Sequence, residues 1–130
     1  MLISLDRASG TPVFRQICDQ VRFQVAAGSL TPGASIPSTR DLAAELDINP
    51  MTVGKAYALL EQEGILERRP GLALVVRGAP ASRQHGAKEQ ELARALRPAV
   101  LAAHQLGLSV QEAIEIYRKV LHSRGDDDVT

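Results

Sequence analysis

The sequence is poor in several residue types, and each shortage closes off a class of protein. Among 130 residues there is one cysteine, Cys18. That excludes an intramolecular disulfide and any cysteine-built zinc cage, and makes a reducing cytoplasm the natural setting. Tryptophan is absent and aromatics make up 3% of the chain, against 45% hydrophobic residues overall. A core drawn from this stock rests on Leu, Ile, Val and Ala, which suits a mostly helical fold. No apolar run approaches the roughly 20 residues of a membrane span. The opening MLISLDRASG lacks the basic region and apolar stretch of a signal peptide. The histidines, His85, His104 and His122, fall in no spacing that makes a metal triad or a nucleophile–base pair, and there is no glycine-rich phosphate loop. The expectation is a cytoplasmic protein off the membrane that is not an enzyme and needs neither cofactor nor metal.

Charge of one sign is missing too: the formal net charge is zero. In residues 1–77, Arg7, Arg15, Arg22, Arg40, Lys55, Arg68, Arg69 and Arg77 are balanced by Asp6, Asp19, Asp41, Glu45, Asp47, Glu61, Glu63 and Glu67, eight of each. Bulk charge therefore gives no footprint of a polyanion partner, and any case for nucleic acid rests on where the charges sit.

What is present is a run of well-punctuated helices. After a short extended start (Leu2 to Leu5), Thr11-Pro12 reads as an N-cap followed by proline at the first helical position. Phe14, Ile17, Cys18, Val21 and Val25 form one stripe, ended at Gly28. Cys18 on that stripe is core packing, not a reactive thiol. Thr31-Pro32-Gly33 is a turn. Ser38-Thr39-Arg40-Asp41 resembles a capping box and opens a short helix that buries Leu42, Ala43 and Leu46. Asp47-Ile48 breaks it. Asn49-Pro50 caps a third helix running to about Glu63, with Val53, Ala56, Tyr57 and Leu60 inward and Gly64 as its stop.

Two short helices joined by so tight a break make a helix-turn-helix. The extended runs Ile65 to Arg69 and Ala73 to Arg77, around Pro70-Gly71, predict a β-hairpin with a basic tip, hence a winged version. Residues 78–88 read as a linker. Leu92, Leu96, Ala99, Val100, Ala103 and Leu106 form a further stripe closed by Gly107, in which Pro98 either kinks the helix or marks its start. Ser109-Val110-Gln111-Glu112 is a capping box before a last helix carrying Ala113, Ile116, Tyr117, Val120 and Leu121 on one side. Residues 124–130 read as a frayed tail. The fold class is thus mostly α with a small β-hairpin: a winged helix-turn-helix over residues 1–77, then a two-helix module over 89–123.

A helix-turn-helix lays the start of its second helix in the major groove. Asn49, Met51, Thr52 and Lys55 hold those positions, with chemistry suited to base edges, phosphates and thymine methyls. Ser38, Thr39 and Arg40 open the preceding helix, whose free N–H groups suit a phosphate. Arg68, Arg69 and Gly71 lie at the wing, near a minor groove. Plainer readings stand beside these: Asn49 as a cap, Arg40 and Lys55 as solvated charges, and Arg68-Arg69 as protection of a strand edge. Two apolar stripes on a lone helix pair would stay exposed, so Leu92, Leu96, Val100, Ala103, Leu106, Ile116, Tyr117, Val120 and Leu121 are candidate dimerisation residues. A twofold dimer matches a palindromic double-stranded operator. The rival function is a winged helix that binds protein and not DNA.

The ordered series Pro12-Val13-Phe14-Arg15-Gln16-Ile17, Gly28-Ser29-Leu30-Thr31-Pro32-Gly33, Ile36-Pro37-Ser38-Thr39-Arg40-Asp41-Leu42-Ala43, Asn49-Pro50-Met51-Thr52-Val53-Gly54-Lys55-Ala56-Tyr57 and Leu60-Glu61-Gln62-Glu63-Gly64 resembles the GntR family of bacterial regulators. The last two helices, with Leu106-Gly107-Leu108-Ser109, resemble its YtrA-like subfamily. The resemblance implies DNA contacts from Arg40, Thr52, Lys55 and the wing, and pairing through the C-terminal helices. It also implies a repressor acting on its own promoter or a neighbouring transporter operon. Two positions depart from the family pattern. The wing reads Gly71-Leu72-Ala73-Leu74-Val75, without the family's second glycine and threonine, and Asp47 stands where a glycine is usual. A small-molecule effector has no domain of its own; a cavity between the C-terminal helices and the winged domain, with His104 or Tyr117 as polar contacts, is the place for one.

Overall fold

The computed structural model describes residues 1–71, 74–77 and 86–129, with side chains up to Ser123. The helices are α1 (Val13–Ala27), α2 (Thr39–Leu46), α3 (Pro50–Gln62), α4 (Ala87–Gln105) and α5 (Val110–Val129), with strands β1 (Leu66–Arg68) and β2 (Leu74–Val76) between α3 and α4. The chain divides into two compact units, residues 1–91 and 92–130.

In the first unit α3 is the central element, packed against α1, α2 and β1. Of the expected inward residues, Ile17, Cys18 and Val21 from α1, Leu42 and Ala43 from α2, and Val53, Ala56, Tyr57 and Leu60 from α3 are buried, while Phe14, Val25 and Leu46 are half-buried. Burial pushes the Cys18 thiol above its ordinary pKa, so it stays neutral and inert. α1 starts one residue later than the sequence predicts. Pro12 is its cap, because the Thr11 carbonyl is taken by the Gln16 side chain and its hydroxyl caps nothing. Ser38 caps α2 through Oγ, accepting from Asp41 N at 3.1 Å. Among the described residues Asp41 returns no bond, since its side chain is one carbon shorter than the glutamate of a complete box.

The hairpin is antiparallel with Leu66 opposite Val76 and Arg68 opposite Leu74. A third segment, which the sequence reading missed, joins it: Ser35 bridges Val75, and Ile36 N donates to the Leu74 carbonyl. Pro37 hid this segment, because it ends the pairing after two residues.

α3 and α4 each close on a glycine at positive φ, Gly64 and Gly107. In each, the next residue's N–H reaches back five residues, Ile65 to the Leu60 carbonyl and Leu108 to that of Ala103, as in a Schellman ending. α2 ends the same way on Asp47, the one non-glycine at positive φ among the described residues (φ 56°), with Ile48 N donating to the Ala43 carbonyl. Asp tolerates this conformation better than most side chains.

Two expectations about the C-terminal part need correcting, and the open question at Pro98 is decided. Residues 78–85 of the expected linker lie outside the described residues, and Ala87 and Lys88, both good helix formers, already belong to α4. Pro98 lies inside α4 and does not start it. α5 continues through residues 124–129 where a frayed tail was expected, since no proline interrupts Arg124-Gly125-Asp126-Asp127-Asp128. The Ser109 box is complete: Glu112 N donates to Ser109 Oγ at 3.1 Å and Ser109 N to Glu112 Oε1 at 3.0 Å.

Candidate nucleic-acid interface

Because α3 buries Val53, Ala56, Tyr57 and Leu60, its opposite face is left to Met51, Lys55 and Ala58. Met51 is 80% exposed, which leaves its side chain free to meet a partner. Asn49 caps the helix, its Oδ1 accepting from Met51 N at 2.9 Å, while the rest of the side chain is exposed. Thr52 sits beside it, half-buried. Lys55 is exposed, and its Nζ rests 3.9 Å from the centroid of the Phe14 ring on α1. The sequence reading placed Phe14 in the core. It is half-buried, and its face carries the ammonium, which costs the lysine freedom but holds its charge at the α1–α3 edge.

Ser38 and Arg40 are exposed at the start of α2, with Thr39 half-buried between them. Tyr57 fixes this end of α2 against α3: its hydroxyl donates to the Pro37 carbonyl at 2.9 Å, immediately before the cap. Burial, with the Glu45 charge, pushes the Tyr57 phenol far above its ordinary pKa, so it remains a donor. Among the described residues neither Arg40 nor Lys55 has a carboxylate within salt-bridge distance.

The wing differs. Glu61 Oε1, from the far end of α3, lies 3.9 Å from Arg68 Nη2, and Glu67 Oε1 lies 2.7 Å from Arg69 Nη2. Both wing arginines are exposed but partly neutralised. Gly71 turns at φ 74° as a tight turn requires, and the following residues 72 and 73 lie outside the described ones.

The far end of α3 is tied down separately. Arg22, 9% exposed, reaches Glu63 with Nε and Nη2 at 3.0 and 3.1 Å and Asp19 with Nη1 at 3.0 Å. Burial works against its charge, but the Glu63 hydrogen bonds and the Glu63 and Asp19 charges outweigh it and raise the pKa. One end of α3 is thus locked by ion pairs and the other is presented free of them.

In the second unit, Leu92, Val100, Leu106, Ile116, Tyr117, Val120 and Leu121 are exposed and Leu96 and Ala103 half-buried. A groove of about 600 Å³ runs between α4 and α5, lined by Leu96, Val100, Leu106, Ile116 and Val120 among others, together with His104 and Tyr117. No helix among the described residues is long and apolar enough to cross a membrane.

Residues 14–76 match the model of the bacterial regulatory proteins of the gntR family. The chain is 30% identical to the HTH-type transcriptional repressor YtrA of Bacillus subtilis, over 92% of each protein. The chain belongs to the GntR family. GntR-family structures align with it well beyond the winged helix. YtrA from Sulfolobus acidocaldarius has a TM-score of 0.57 and 30% identity over 93% of this chain and 97% of that one. A GntR family transcriptional regulator from Listeria monocytogenes has a TM-score of 0.68 and 25% identity over 88% and 98%. The chain is a DNA-binding transcription regulator of winged helix-turn-helix type, resembling the YtrA-type members along nearly its whole length.

Proposed function

We propose that this regulator is a homodimeric repressor without catalytic activity, acting in the cytoplasm on a palindromic operator. α3 enters the major groove through Asn49, Met51, Thr52 and Lys55, while Ser38, Thr39 and Arg40 hold the adjacent phosphates. One observation carries this division of labour: among the described residues Arg40 and Lys55 are exposed cations without a carboxylate beside them, whereas the wing arginines each have one. Arg68, Arg69 and Gly71 therefore contribute less than the helix positions. Dimerisation through α4 and α5 covers the apolar side chains that the helix pair leaves exposed and places two recognition helices on half-sites about 10–10.5 base pairs apart or at a multiple of that spacing. The Bacillus subtilis relative is a repressor, and occupancy of a promoter is the simplest way a protein of this size represses. Its own promoter and an adjacent transporter operon are the targets to test first.

The test is a titration of the protein against its upstream DNA over a range of salt. Arg40→Ala and Lys55→Ala should each weaken binding by about 1–3 kcal/mol if they touch bases, and lower the salt slope by about one for each phosphate left without its cation. Arg68→Ala and Arg69→Ala should cost under about 1 kcal/mol, as expected of charges already paired at the surface. A wing loss equal to the helix loss would overturn the ranking. No binding to upstream DNA, and none in a selection from genomic fragments, would return the function to a protein-binding winged helix.

A further inference from the structure

The first six residues form no regular strand, yet their backbone is read as one. α1 carries glutamines at 16, 20 and 24, one every four residues on a single face. Each carboxamide engages both backbone groups of one residue in the N-terminal segment, at alternating positions. Gln16 accepts from Asp6 N and donates to its carbonyl, both at 2.9 Å. Gln20 does the same with Ser4, at 2.9 and 2.7 Å, and Gln24 with Leu2, at 3.4 and 2.6 Å. The register follows from geometry: four helical residues rise about 6 Å and two extended residues about 6.6 Å, so helix and strand stay in step over three rungs. The side chains between the rungs turn inward, with Ile3 buried and Leu5 half-buried against the core.

The segment ends at the helix-turn-helix. Arg7 Nη2 donates to the Leu46 carbonyl at 3.0 Å and to the Asp47 carbonyl at 3.3 Å. These are orphan acceptors at the C-terminal end of α2, where a cation is also favoured by the helix dipole. They lie in the turn that leads into α3, and the turn passes through Asp47 at φ 56°.

We propose that residues 2–7 are a strap that positions the recognition helix. The glutamine rungs set its register, and Arg7 clasps the α2–α3 turn and fixes how α3 is presented to DNA. Because the rungs bind only backbone, the strap depends on Ile3 and Arg7 and tolerates exchange of Ser4 or Leu2. Arg7 is a positioning residue and touches no DNA. This rests on the reading of α3 as the DNA-contacting helix.

The experiment uses the full chain and a genomic fragment selected by the wild type, with a scrambled fragment of equal length beside it. Arg7→Ala should weaken binding to the selected fragment about tenfold, the scale of one charged hydrogen bond. It should leave binding to the scrambled fragment and the salt slope unchanged, at temperatures well below its Tm. Arg7→Lys should recover part of the loss, since an ammonium satisfies fewer acceptors than a guanidinium. Gln20→Ala, which removes the middle rung, should reduce discrimination in the same direction. An Arg7→Ala protein with wild-type discrimination overturns the proposal. So does an equal loss on both fragments with the salt slope lower by about one, because that marks a phosphate contact. Should Arg7→Ala fail to fold, Arg7→Lys carries the same two readouts. If the wild type selects no fragment, the α3 reading falls and the strap's role with it. If Arg40→Ala and Lys55→Ala weaken binding while Arg7→Ala does not, the strap proposal alone fails.

Discussion

Leu60 and Leu106 each lie close to the end of a helix that a glycine then terminates, yet Leu60 is wholly buried and Leu106 is 73% exposed. The contrast extends to the units around them. The first unit closes a core over α1, α2, α3 and the hairpin, while no residue with a described side chain in the second unit is buried. Both units are equally careful about helix ends: Ser38, Asn49 and Ser109 all cap with side chains. Capping and burial are therefore separate achievements. Capping satisfies the backbone locally, but it removes no apolar surface from water, and removing that surface is the dominant favourable term in folding. A helix pair with good ends and an open face has its backbone satisfied but its apolar side chains still in water.

The largest expected effect divides the units directly. Leu60→Ala should destabilise the first unit by about 2–5 kcal/mol, a large share of the stability of an ordinary domain. The melting temperature should fall and DNA binding should go with it. The same truncation at Leu106 should leave the thermal transition of the first unit in place. If Leu106→Ala lowered that transition as much as Leu60→Ala, the two units would not be separate in stability.

Next in size is a change aimed at the open face. Val100 and Val120 are both exposed and both line the groove between α4 and α5. Val100→Glu with Val120→Glu should be tolerated by a monomer but not by a paired interface, where desolvated like charges would meet. Sedimentation should then report a monomer of 14.0 kDa, and operator affinity should fall by about 10²-fold or more as the two half-sites lose their linkage. An unchanged sedimentation coefficient would count against a dimer paired through this face.

How much of this was legible in the sequence follows the same division. Helix boundaries marked by glycine, proline and serine were readable because their signals are local: Gly28, Gly64 and Gly107 at the ends, Pro50 and Ser109 at the starts. The inward residues of α1, α2 and α3 followed from helical period alone. What escaped is what joins distant parts of the chain. Arg7 meets Leu46 and Asp47 across about forty positions, Glu61 crosses to Arg68 in the wing, and Ser35 pairs with Val75. The glutamine ladder did leave a trace, the four-residue spacing of Gln16, Gln20 and Gln24, which reads as an ordinary polar helix face until an extended segment lies along it. Phe14 misled for another reason: a half-buried ring at core spacing has the same pattern as a buried one, and the cations over its face, Lys55 nearer than Arg15, tell them apart.

The smallest effect tests capping where burial cannot contribute. Glu112 is solvent-exposed, and its carboxylate accepts from Ser109 N while Ser109 caps the helix in return. The Ser109 hydrogen bonds hold its pKa below the ordinary value of 4.5. A carboxyl depressed on folding stabilises the folded state above its unfolded pKa, and loses that contribution as the pH falls through the folded value. The cap should thus be intact at neutral pH and weaken only in acid, below the ordinary carboxylate range, as protonation removes the charge that Ser109 N and the α5 dipole favour. The amide resonance of Ser109 should move with that titration. Glu112→Gln keeps an acceptor and loses the proton, so its Ser109 amide should not titrate, and the first unit should be indifferent to the change. A Ser109 amide that titrates equally in both proteins would mean that another group controls this end of α5, and that the cap is less independent of the rest of the chain than its geometry implies.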